Sequence, residues 1–127
     1  MNKGSVIRYI DDISYDITGI CLEIWNNPEV SGMEKASANR YKKILKSNGF
    51  EIKEIPDMEH AFIGEFGKGP PVIAVLAEYD ALPGLSQKLD TKYNPVEEKG
   101  PGHGCGHNLL GAAALGAALA VKRYSSS

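Results

Sequence analysis

The chain lacks several things, and each absence excludes a class. There is no basic surplus: 14 Lys and Arg stand against 16 Asp and Glu, and there is no run of like charge. Nothing therefore supports nucleic-acid binding. Only two cysteines are present, Cys21 and Cys105, with no C-x-x-C pair. That excludes a zinc ribbon or a thioredoxin-type motif, and nothing points to an oxidising compartment. The first residues, Met1 to Tyr9, have no continuous apolar core, so they do not read as a secretory signal. The longest apolar stretch, Leu109 to Val121, falls short of the roughly 20 residues that span a bilayer. The expectation is a soluble, reduced, cytoplasmic protein with no membrane partner. Its 127 residues, 43% hydrophobic and 24% charged, suit one globular domain with a single core.

Ile10, Ile13, Ile17, Ile20 and Ile24 recur at steps of three and four. This spacing predicts one helix from about Ser5 to Asn26, ended by Pro28. Ser31 and Glu34 match a capping box for a second helix, which carries Met33, Ser37, Tyr41, Ile44 and Leu45 along one side. Asn48-Gly49 gives that helix its exit. Two short strands are expected at Phe50 to Ile55 and Ala61 to Phe66. Val72 to Ala77 is apolar at every position, the pattern of a strand buried on both faces of a parallel or mixed sheet covered by helices. Leu82 to Gly106 is a long loop rich in proline and glycine. Asn108 to Tyr124 then reads as a helix apolar nearly all round, made for close-packed neighbours.

Chemistry concentrates in two places. Gly100 to Gly111 sets His103, Cys105 and His107 at alternate positions before that helix. Cys105 and His107 reach one ion if the backbone between them is extended. A thiolate and an imidazole suit zinc, and also manganese or cobalt when carboxylates complete the shell. A bland reading stands beside this one, since a lone cysteine in a glycine-rich loop is usually only a small residue. The glycine spacing fits neither a dinucleotide fingerprint nor a phosphate loop. The second place is Glu78-x-Asp80, at the end of the apolar run. Carboxylates two apart on an extended segment point the same way, able to ligate an ion or to orient an imidazole that does.

Ala74 to Leu85 (AVLAEYDALPGL) and Gly102 to Gly111 (GHGCGHNLLG) resemble the amidohydrolase branch of the M20 metallopeptidases, in particular its aminobenzoyl-glutamate hydrolase-like members. Trp25 to Ser37 (WNNPEVSGMEKAS) is similar to an upstream signature of the same family, so three motifs in order cover nearly the whole chain. The resemblance implies an α/β fold, the N-terminal part of a zinc-peptidase-like catalytic domain with a mixed sheet covered by helices. Residues 1–127 would then be a partial catalytic domain, without the inserted dimerisation domain and the C-terminal portion. It implies hydrolysis of an amide bond next to an amino-acid carboxylate, in an N-acyl or aminobenzoyl amino acid or a dipeptide. Two divalent ions (zinc, manganese or cobalt) per full-length subunit and a full-length homodimer are implied as well.

By position, Cys105 and His107 match a metal-ligand pair, and Asp80 matches the aspartate that orients ligands. Glu78 stands where other branches have a ligating histidine and is set aside as a ligand; His103 is expected beside the ligands rather than among them. The family's general-base glutamate and further ligands follow the C-G-H helix, whereas no Glu or His follows Asn108 here. The isolated chain is therefore expected to be inactive and to expose apolar surface. Two other readings compete. One makes Cys105 a nucleophile with His103 or His107 as base. The other makes the chain a non-catalytic piece of a split enzyme that acts by binding.

Overall fold

A computed structural model describes residues 2–125. Its elements in order are α1 (Lys3–Asp12), α2 (Ser14–Asn26), α3 (Lys35–Ser47), β1 (Glu51–Ile55), β2 (Met58–Glu65) and α4 (His107–Ser125). The architecture is mixed α/β, four helices with a two-stranded antiparallel sheet.

The isoleucine stripe faces the core as its spacing requires. Ile20 and Ile24 are buried, and Ile13 and Ile17 pack at the edge of the same cluster. The single helix expected over this stretch is instead two. It breaks at Ile13, whose backbone leaves the helical region (φ −95°, ψ 4°). Neither proline nor glycine is responsible. The Ser14 hydroxyl donates to the Asp11 carbonyl at 2.7 Å, a local side-chain bond of the kind that competes with the helical ladder. Asn2, ahead of the expected start, caps α1 through a reciprocal box with Ser5.

The second helix also starts differently from expectation. Ser31 and Glu34 do not form a capping box. Glu34 occupies the cap position of α3 without a side-chain hydrogen bond. The first-turn donors are met from further back, by Glu29. Its carboxylate accepts Ala36 N at 2.9 Å, Ser37 N at 2.8 Å and Ser37 Oγ at 2.7 Å. Ser37, Tyr41 and Leu45 are buried as their spacing predicts, whereas Met33 lies before the helix and is exposed. The exit runs through Asn48-Gly49, and Phe50 N donates back to Leu45 O at 3.0 Å. The two expected strands form a hairpin that pairs Glu51 with Glu65 and Lys53 with Ile63.

The apolar run is the main departure. Val72 to Ala77 forms no strand among the described residues, and Val72 is 89% and Leu76 85% exposed. A segment of this composition is stable as a strand only between neighbours, and the two-stranded hairpin lies elsewhere in the chain. Helix α4 is half-clothed in the same sense. Gly111, Ala112, Leu115, Gly116, Leu119 and Ala120 are buried, chiefly on α2, while Leu109, Leu110 and Val121 face outward. No helix among the described residues is long and apolar enough to cross a membrane.

Candidate metal centre

The site forms where three segments meet. Glu29 O accepts Ala81 N at 2.7 Å, and Val30 and Ala81 form a parallel bridge. This fastens the residues before α3 to the end of the Glu78–Asp80 segment. Leu82 and Gly102 exchange hydrogen bonds, each of 2.9 Å, which closes the base of the long loop. Inside that loop the Ser86 hydroxyl accepts Val96 N and Glu97 N. The loop is thus ordered, and it delivers residues 103–107 to the start of α4.

Two side chains tie this delivery to α2. His103, 5% exposed, donates from Nε2 to the Ile24 carbonyl at 3.1 Å. Burial holds its pKa below the ordinary imidazole value, with His107 nearby adding to the effect. The ring is therefore neutral, with its proton on Nε2. Asn108, also buried, donates to Cys21 O and Sγ at 3.4 and 3.3 Å. Burial raises the pKa of the Cys21 thiol, as expected of an inert core cysteine.

His107 opens α4 with a carboxylate at each ring nitrogen. Nδ1 lies 2.7 Å from Asp80 Oδ1 and Nε2 lies 3.0 Å from Glu78 Oε2. One ligand atom from each of Glu78, Asp80 and His107 falls within 4.8 Å of the others. The N-terminal end of α4 adds favourable potential for the two carboxylates. Gly111, one helical turn further on, makes the approach possible. A Cβ there would come within 2.7 Å of Tyr41 Oη and 2.8 Å of the Glu78 carbonyl oxygen. Without a side chain at this position, α4 lies directly against the backbone that carries Glu78.

The residues singled out in the sequence therefore divide. Asp80 and His107 are brought together. Glu78, set aside as a ligand, stands with them; its two-residue offset from Asp80 is the signal that marks it. Cys105 is exposed and lies outside this trio. Between it and His107 the backbone is not extended, because Gly106 has φ 75° and the helix begins at His107. For the alternative of a cysteine nucleophile, both nitrogens of His107 face carboxylates and Nε2 of His103 bonds a carbonyl, while Nδ1 of His103 is buried and unpartnered. One imidazole and two carboxylates are a donor set that fits a zinc- or manganese-type divalent ion.

By sequence the chain is similar to hydrolases and peptidases. The chain is 46% identical over 128 residues to a subunit of the p-aminobenzoyl-glutamate hydrolase of Escherichia coli, a match covering 94% of the chain and 26% of that protein. It is 32% identical to N-acetyl-L-cysteine deacetylase of Bacillus subtilis, over 93% of the chain and 28% of the relative. Thermostable carboxypeptidase 2 of Saccharolobus solfataricus is 31% identical, over 89% and 29% respectively. No family model matches the chain. The relatives bear out the resemblance to the M20 metallopeptidase and amidohydrolase family that the three motifs carry. It spans about a quarter of the length of the curated relatives it matches.

Proposed function

We propose that the chain contributes part of the metal centre of an M20-type hydrolase, one that cleaves an amide bond next to an amino-acid carboxylate. The observation that carries this reading is the His107 ring set between Glu78 and Asp80 at the start of α4. His107 and Glu78 hold a divalent ion (zinc, manganese or cobalt) at the ring nitrogen they share. Cys105 joins them as the resemblance implies, which requires the Gly106 turn to bring it in from outside the trio. Asp80 accepts a hydrogen bond from His107 Nδ1–H and so fixes the ring's tautomer and direction, a common outer partner of a ligating histidine. An ion held there supplies Lewis-acid polarisation of a scissile carbonyl. The substrate class is an aminobenzoyl or N-acyl amino acid or a dipeptide, supported by relatives named for aminobenzoyl-glutamate, acetylcysteine and carboxy-terminal peptide hydrolysis.

As part of the same reading, residues 1–127 form a partial catalytic domain. They bind the ion without turning over substrate by themselves, and the whole protein is a cytoplasmic homodimer.

Cobalt titration of the 127-residue chain tests the ligands. The expected result is one bound ion with a sulfur-to-cobalt charge-transfer band that Cys105→Ala removes, and loss of binding in His107→Ala. Equal binding by the wild type and His107→Ala would overturn the site.

A further inference from the structure

The two carboxylates face His107 only if the Glu78–Asp80 segment sits in one particular register. Successive side chains of extended backbone point to opposite sides, so a slip by one residue would turn both acids away. What sets the register is therefore a separate question from what binds at the site. On the upstream side, Val72 to Ala77 has no strand partner among the described residues and cannot hold it. On the downstream side, Ala81 N is fastened to Glu29 O at 2.7 Å.

Between the acids stands Tyr79. Its ring stacks on the buried Tyr41, with centroids 5.5 Å apart and planes 18° from parallel. Its hydroxyl donates to the His60 carbonyl in β2. The side chain is thus held at two points, one on α3 and one on the hairpin.

We propose that Tyr79 is the positioning residue of the centre: its ring, stacked on Tyr41, holds the register that turns Glu78 and Asp80 together onto His107. The consequence for metal binding rests on the function proposed above; the register itself does not. Tyr79→Phe keeps the stack and loses the hydroxyl bond, whereas Tyr79→Ala loses both.

Nitrogen-15 NMR of the metal-free 127-residue chain reads the register directly. A His107 Nδ1 proton bonded to Asp80 gives a downfield resonance. The wild type and Tyr79→Phe are expected to keep this signal, and Tyr79→Ala to lose it. Ile52→Ala, which removes apolar contact in β1, serves as the control for simple destabilisation and is expected to keep it. Zinc affinity should fall on the order of tenfold in Tyr79→Ala, the usual effect of losing a ligand's support. If Tyr79→Ala does not fold, Tyr79→Leu, which keeps apolar bulk without the stack, carries the same expectation. Retention of the signal in the alanine or leucine variant overturns the proposal, as does its loss in Ile52→Ala. A wild-type chain that binds no zinc would sink the metal reading, while the ring proton still decides the role of Tyr79.

Discussion

Replacing Glu29 by glutamine should weaken α3 in a way that depends on pH. The carboxylate accepts two backbone N–H groups of the first turn and the Ser37 hydroxyl, all at 2.7 to 2.9 Å. Glutamine keeps one acceptor oxygen and turns an NH2 group toward the remaining donors. Loss of a side-chain cap costs about 1 kcal/mol. Loss of a negative charge at a helix start adds roughly 0.3–1 kcal/mol. Together these predict a loss of about 1–2 kcal/mol, or about 4–8 °C in Tm for a chain of this size.

The sign with pH follows from the carboxyl's surroundings. Burial pushes its pKa up, but the bonds from Ala36 and Ser37 outweigh that and, with His60 nearby, hold it below the ordinary glutamate value. The stabilisation is therefore complete above the ordinary carboxyl range and is lost as pH falls through the depressed value. Thermal melts of both proteins, followed by circular dichroism from neutral to acid pH, should show a gap that is widest at neutrality and closes in acid. No gap at neutral pH, or a gap unchanged in acid, would refute the cap.

Gly102 should not accept a side chain, because a Cβ there would lie 1.8 Å from the Leu85 carbonyl oxygen. Gly102→Ala is expected to cost roughly 1–3 kcal/mol or more by overpacking against backbone, and an unchanged melting curve would contradict the loop's closure. The exposed run from Val72 to Leu76 should drive self-association, as contiguous apolar surface does. Sedimentation should show smaller species for Leu76→Lys than for the wild type, with Tm nearly unchanged; identical distributions would refute that role.

Local periodicity makes most of the helices and the hairpin legible. The isoleucine stripe and the small-residue face of α4 are i, i+3, i+4 patterns, and burial follows them. What escapes is set by contacts that a local rule does not reach. The cap on α3 comes from Glu29, five residues ahead of the cap position at Glu34, where a three-residue box rule does not look. The break at Ile13 stands beside a bond from the Ser14 hydroxyl to the Asp11 carbonyl, which helical periodicity does not report. The apolar run shows what it requires, neighbours on both faces, but a pattern states a requirement and not its fulfilment.

The candidate site makes the same point from the other direction. The resemblance argues against Glu78 as a ligand, although its spacing from Asp80 puts both acids on one side. The structure agrees with the spacing: both acids stand at the same imidazole. For Cys105 and His107 the order reverses. Their pairing comes with the resemblance, whereas an extended backbone between them is a geometric condition, and Gly106 departs from it. A two-residue spacing therefore carries information for Glu78 and Asp80, whose acids meet one imidazole, and not for Cys105 and His107, where Gly106 turns the backbone. The positioning of the first pair depends on the side chain between them, and that side chain is an aromatic ring stacked against α3 rather than a group with metal chemistry of its own.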